Sequence, residues 1–200
     1  MKLYFSPNAC SLAPHIVLRE LALPFELVRV HNQAKTTADG QDYLQINPKG
    51  YVAALQLDNG QVLTEASAIL QYLADLRPAA GLAPANGSWA RVRLQEWLNF
   101  IATEIHGGLA VFFNGAIQGD VRAMFLATLC KRLAVLVQPL QSQDYLLGGE
   151  YSVADAYLFV VLRWAAFHQI DLQQWPALVA FMQRVGERPA AIAALAAENP

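Results

Sequence analysis

Among the groups in this 200-residue chain that could do chemistry, Cys10 stands apart by its position. It falls one residue ahead of a helix expected over about 11–21, with Ser11 as N-cap and Pro14 in the first turn, where a missing N–H is tolerated. Unpaired N–H groups and the positive end of the macrodipole favour an anion there, so the thiol is expected to be thiolate-prone; an inert buried cysteine is the alternative. Cys10-Ser11-Leu12-Ala13 lacks a second cysteine. That favours single-step chemistry on an external thiol over dithiol exchange. Cys130, in an apolar helical stretch, is expected in the core. Glu65 opens a helix and could simply complement its dipole. Lys35 could be a solvated loop charge. His106 ends a helical run before Gly107-Gly108, where a helix C-terminus would favour a cation. His15 reads as structural and Asp155 as a helix cap.

The first third of the chain must position Cys10. Lys2 to Phe5 reads as a strand stopped by Ser6-Pro7-Asn8, and Phe25 to Val30 as a second. Ala54 to Leu57 and Val62-Leu63 flank Asp58-Asn59-Gly60, a strong hairpin signal. A helix follows from Thr64-Glu65, with Ile69, Tyr72, Leu73 and Leu76 on its apolar face. The order β-α-β, connection, β-β-α is that of a thioredoxin-like α/β domain over residues 1–78. A Pro/Gly-rich linker spans 79–87. Residues 88–200 read as an all-α helical-bundle domain, with helical periodicity over 89–113 and 121–140. Ser152 to Asp155 reads as a capping box opening a helix over 154–168, and helices over 176–186 and 190–197 follow. No strand signal is found beyond the linker.

Composition narrows the function classes. The chain is 55% hydrophobic and 15% charged with net charge −2, a globular profile without a basic face for nucleic acid or anionic membrane. No secretory signal is read at the N-terminus, and the longest membrane candidate noted, Ala156 to Leu162, is too short to span. Two distant cysteines do not make a disulfide scaffold, so a reducing cytoplasm is the expected setting.

Several strings, in order and at matching spacing to about residue 190, resemble the bacterial beta-class glutathione S-transferases. They include Met1-Lys2-Leu3-Tyr4, Cys10-Ser11-Leu12, Pro14 to Glu20, Ile46-Asn47-Pro48-Lys49-Gly50 and Leu63-Thr64-Glu65. Gln71 to Asp75, Glu96 to Phe100 and Val153 to Phe159 continue the series. The resemblance implies the glutathione transferase fold and glutathione as co-substrate, with its sulfur near Ala9 and Cys10. It implies that Val52 pairs with the tripeptide backbone through its main chain, that Glu65 and Ala66 hold the γ-glutamyl end, and that Lys35 approaches the glycine-end carboxylate. From the second domain it implies Asn99 and the stretch Thr103, Glu104, Ile105 and His106, contributed within a homodimer, with His106 tuning the site. A zwitterionic tripeptide needs such a set: an acid for its amine, cations or helix N-termini for its carboxylates, and a strand edge for its backbone. Phe112, Phe113 and Trp164 are candidates to receive a small hydrophobic electrophile. No metal is implied.

The chain departs from the family at three positions. Ala53 stands where a proline with a cis peptide is usual, so either a cis Val52–Ala53 bond or a trans bond with a displaced loop is expected. Gly107 replaces a lysine and should loosen the helix. Tyr51 replaces a smaller polar residue. Conjugation, glutathione-dependent disulfide or peroxide reduction, and a weakly binding non-catalytic role are the readings carried forward.

Overall fold

The computed structural model describes residues 1–198. Residues 1–80 together with 188–198 form one compact unit, and residues 81–187 form a second.

In the first unit, strand β1 (Lys2–Phe5) ends at a turn in which Asn8 has positive φ, and helix α1 (Leu12–Glu20) follows. Seven consecutive α1 residues, Leu12 to Leu18, are buried. Strand β2 (Glu26–His31) returns parallel to β1, with Leu27 opposite Leu3. A two-residue strand β3 (Thr36–Thr37) pairs antiparallel to β2; it was not expected, because two residues leave no periodicity to read. Strands β4 (Ala54–Gln56) and β5 (Val62–Thr64) form the expected hairpin, with Gly60 at φ +85° supplying the turn. Helix α2 (Ala66–Leu76) completes the run, and the sheet order is β3-β2-β1-β4-β5. Tyr4, Val30, Tyr43, Val52 and Ala54 form a buried cluster in this unit.

The second unit opens with α3 (Trp89–Phe100), capped by Ser88 Oγ, which accepts from Arg91 N at 3.1 Å. The helical path runs on to Phe113, across the 89–113 span expected from periodicity, and His106 does not end it as its position before two glycines suggested. It continues as a π-helical segment (Ile101–His106), a short helix α4 (Gly107–Ala110) and a 3₁₀ turn (Val111–Phe113). His106 is therefore mid-path rather than at a free C-terminus, and Gly107 does not break the helix. Helix α5 (Gly119–Leu140) buries Leu129, Leu133, Leu136 and Leu140. At 22 residues it is long and apolar enough to cross a membrane by length and composition, a longer candidate than Ala156 to Leu162. Cys130, expected in the core, is half-buried on this helix.

The capping box forms as expected. Every residue of α6 (Val153–Leu162) is buried, and the helix expected over 154–168 divides at Arg163 into α6 and α7 (Trp164–Phe167). Helix α8 (Pro176–Gly186) closes the unit. Among its described residues this unit holds no strand, only an isolated bridge between Tyr145 and Gly148.

The last helix, α9 (Pro189–Glu198), groups with the first unit and packs on α1. His15 Nδ1 and Glu198 Oε1 are 2.8 Å apart and both side chains are buried, while Arg19 Nε donates to His15 Nε2 at 2.8 Å. Nε2 is thus the acceptor, so Nδ1 carries the proton toward Glu198. Arg188 adds a two-pronged contact to Glu20 at 2.7 and 3.1 Å. His15 has the structural role expected of it, as a buried tie between α1 and the chain's last helix.

Candidate active site

The turn from β1 into α1 is stapled by Ser11, whose hydroxyl accepts from Ser6 N at 3.2 Å and donates to Ser6 O at 3.3 Å. Ser11 occupies the N-cap position, yet its side chain makes no capping bond. The staple seats Cys10 in a buried position, where its thiol donates to Val52 O at 3.3 Å. Burial pushes the Cys10 thiol up to about 11; the backbone N–H groups of Cys10, Ala53 and Ser11 pull it down, and the charge of Glu65 adds to the rise. The thiolate-prone expectation is corrected accordingly. Desolvation outweighs the helix start, and the free thiol is a protonated donor at neutral pH.

Val52 itself is fixed by the residues before it. The Tyr51 carbonyl accepts from Tyr43 OH at 2.9 Å and from Asn47 Nδ2 at 2.7 Å. Asn47, 2% exposed, also accepts from Lys49 N at 3.1 Å. Of the two arrangements expected next to Ala53, the cis Val52–Ala53 peptide is the one present. Gly50 has φ +71°, and a Cβ there would come within 3.1 Å of Leu44 Cδ2. Tyr51 is 73% exposed, with the Lys35 ammonium 5.1 Å from its ring centroid.

Among the described residues, Lys35 and Glu65 are two of five non-glycine residues with positive φ, at 54° and 70°. That backbone region costs an ordinary residue about 1 kcal/mol, and such residues concentrate at binding sites. Lys35 Nζ donates to Gly50 O at 2.7 Å, tying its loop to the Val52 segment. Glu65 immediately precedes α2, which has no side-chain cap bond and no acid in its first turn. Its carboxylate meets Lys49 Nζ at 2.6 Å, and both side chains are more than half exposed. Lys49 was not among the expected site residues. The Asn47-Pro48-Lys49-Gly50 turn pointed to its neighbourhood, but no spacing rule pairs it with a residue sixteen positions on. Cys10, Val52 and Glu65 thus come from three connecting segments of one unit, with Ala9 half-buried beside Cys10 and Ala66 buried at the start of α2.

The second-unit candidates fall around the π segment, a geometry that often marks functional positions. Asn99 and Thr103 are exposed, and Thr103 Oγ1 donates to Asn99 O at 3.0 Å. Glu104 is ion-paired with Arg132 Nε at 2.6 Å, and Ile105 has no exposed surface. His106 Nδ1 lies 2.6 Å from Tyr157 OH, and the His106 ring meets the Trp164 edge at 4.9 Å between centroids. Phe113 extends the array to Trp164, Phe167 and His168. Phe112 packs on His168 and beneath the Arg122 guanidinium. Burial and Arg122 together hold the His168 pKa down. Tyr157, Phe167 and His168 were not expected from sequence; the string around Tyr157 was noted without assigning the hydroxyl a role. Among the described residues no group of three His, Cys, Asp or Glu side chains could hold a metal ion.

A thiol at the first βα turn of a thioredoxin-like unit, followed by an all-helical unit, defines a glutathione-transferase-type protein. Residues 8–76 match the family described as Glutathione S-transferase, N-terminal domain, and residues 124–189 match Glutathione S-transferase, C-terminal domain. Glutathione S-transferase GstA of Escherichia coli O157:H7 is 44% identical over 199 residues, covering 100% of this chain and 99% of that protein. The ternary complex of BphK, a bacterial transferase of this kind, superposes with a TM-score of 0.98 at 54% identity, covering 100% of both chains. The beta-class enzyme of Sphingomonas chungbukensis follows at 0.95 and 42%, covering 100% of this chain and 99% of that one. The chain belongs to the glutathione S-transferase family, in its bacterial beta class.

Proposed function

We propose that this chain binds glutathione along its first unit and transfers it, through the glutathione sulfur, to small hydrophobic electrophiles. The observation that carries this reading is the Cys10 thiol held on the Val52 carbonyl at the helix start. With its ordinary proton retained, Cys10 acts as a donor: the S–H turns from Val52 O to the incoming glutathione sulfur and stabilises the thiolate left when the glutathione thiol gives its proton to solvent. Val52 then offers its main chain to the tripeptide. Glu65 exchanges Lys49 for the γ-glutamyl amine, and the uncapped start of α2 at Ala66 takes the γ-glutamyl carboxylate. Lys35 faces the glycine-end carboxylate.

From the second unit, Asn99, Thr103 and His106 carry the exposed surface needed for contact, while Glu104 and Ile105 serve packing through Arg132 and the core. The Phe112, Phe113 and Trp164 rings receive the electrophile. Two copies form a homodimer that works in the cytoplasm, a setting supported by the two free cysteines.

The test compares wild type with Cys10→Ala in conjugation of glutathione to an aryl halide. The variant should lose at least about tenfold in kcat/KM, as expected when a donor to a developing charge is removed. Equal rates would defeat the role given to Cys10, and absence of both glutathione binding and turnover in the wild type would defeat the transferase reading. Disulfide or peroxide reduction is a second reading, since it needs Cys10 as nucleophile. Rapid, stoichiometric mixed-disulfide formation with oxidised glutathione at neutral pH, seen by mass spectrometry, would favour it; the raised thiol pKa argues for slow formation.

A further inference from the structure

We infer that a cleft in the second unit, walled on one side by a face of α3, is a binding site for a planar aromatic cation. The cleft has a volume of about 550 Å³, within the size range of small-molecule sites. Trp89, Arg93 and Trp97 recur every four residues and share one face of α3. Asn99, two residues after Trp97, is turned about 200° round the helix from it and does not line the cleft, so this cleft faces away from the residue of α3 assigned to glutathione.

The other walls are Pro84 from the linker and Leu146, Glu150 and Tyr151 from the loop before α6. Both are pinned by buried groups. Arg91, 3% exposed, donates from Nη1 to Pro84 O at 3.1 Å, and Val153 N donates to Leu82 O at 2.9 Å. Asp155, fully buried, accepts from Leu146 N at 2.9 Å and Ser152 N at 2.8 Å. The walls are therefore preformed, and little ordering is left for a ligand to impose.

The lining chooses the ligand's chemistry. Trp89 is 75% exposed, a large aromatic surface left to solvent in the first turn of a helix. Arg93 is already ion-paired with Glu96 one turn on, so its charge is matched before a ligand arrives. Glu150 is exposed and forms no ion pair among the described residues. The cleft thus offers indole faces and one uncompensated carboxylate. Indole is the best aromatic partner for a cation, and a flat cation satisfies both the stacking surface and Glu150.

The experiment is calorimetric titration of the full chain with N-methylacridinium, with neutral acridine at pH 8 and anthracene-2-sulfonate as charge controls. Saturable binding of one acridinium per chain is expected, weaker for acridine and weakest for the sulfonate. Trp89→Ala should weaken acridinium about tenfold. Glu150→Gln should weaken it about threefold and leave acridine unchanged. Both positions are exposed, and circular dichroism checks that each variant is folded. Saturating glutathione should leave acridinium affinity unaltered. No saturation up to about 1 mM, a Trp89→Ala variant equal to wild type, tighter binding of the sulfonate, or displacement by glutathione would each overturn the proposal.

Discussion

Around Cys10 the groups that matter are mostly main-chain ones. The Val52 carbonyl takes the thiol, the Tyr51 carbonyl is held by Tyr43 and Asn47, and the Gly50 carbonyl is held by Lys35. Around His106 the neighbours are rings, with Tyr157 on its nitrogen, Trp164 on its edge, and Phe113, Phe167 and His168 beyond. A site made of backbone depends on the side chains that hold its loops, and is indifferent to side chains whose only contribution is main chain. A site made of rings depends on the rings themselves and on the helices that space them. The same substitution should therefore read out differently in the two units: as lost ligand affinity in the first, and as lost stability or altered turnover in the second.

The largest effect is expected where the second unit's frame is fixed. Asp155 is fully buried and accepts from Leu146 N, Ser152 N and Ser152 Oγ. Asp155→Ala strands those donors and should cost about 3 kcal/mol of unfolding free energy, measured in urea. Burial pushes the Asp155 carboxyl up to about 6 against the pull of its donors. The folded state then binds the proton more tightly than the unfolded chain between roughly pH 4 and 6. The contribution is full below the unfolded value and is lost as pH rises through 6, so wild type should be more stable near pH 5 than near pH 7.5 with respect to this group. Asp155→Asn should flatten that slope; an unchanged slope breaks the assignment.

In the first unit, Glu65→Ala should raise the KM for glutathione by roughly thirtyfold, about 2 kcal/mol of charge-assisted contact, while stability barely changes. The Lys49–Glu65 pair is exposed on both sides, and such pairs are worth little to folding. A large drop in melting temperature without a change in KM would reverse the comparison, making Glu65 structural.

What the sequence made legible follows the same division. The βαβ and ββα elements, the Asn59-Gly60 hairpin and the Ser152–Asp155 box are local patterns, and the chain adopts them. Where a property depends on what is packed on top, local reading fails. Cys10 at a helix start looks activated until its burial is known, and His106 before two glycines looks terminal until the π segment carries the helix onward. Glu198 is one residue in an Ala-rich tail by sequence and a buried partner of His15 in the fold. The Lys49–Glu65 and His106–Tyr157 pairs join positions 16 and 51 residues apart, which no periodicity connects.

On the backbone side, Ala53 contributes through its main chain alone. Its N–H is one of the groups that lower the Cys10 pKa, and a proline there would have no N–H to offer. Alkylation of Cys10 by iodoacetamide, followed by peptide mass spectrometry to separate it from Cys130, should climb about tenfold per pH unit from 8 to 10 without a plateau. Ala53→Pro should slow it about threefold at each pH, since one weak donor to sulfur is lost. A plateau near pH 7 in the wild type would mean an activated thiol, and an unaffected rate in Ala53→Pro would remove the N–H from the argument.

The smallest effect tests the ring side. Tyr157 OH is 2.6 Å from His106 Nδ1, while the ring also packs in a helix buried along its whole length. Tyr157→Phe keeps the ring and removes the hydroxyl, so packing should be preserved and melting should shift by only a few degrees. The imidazole then loses the hydroxyl that Nδ1 meets, one of the contacts that bias which nitrogen carries its proton. If His106 acts on the glutathione sulfur, kcat should fall about threefold with KM for glutathione nearly constant, and the lower limb of the pH–rate profile should move. Should KM rise instead with kcat and the pH profile unmoved, Tyr157 serves ligand positioning alone, and the second unit's rings contribute shape rather than proton chemistry.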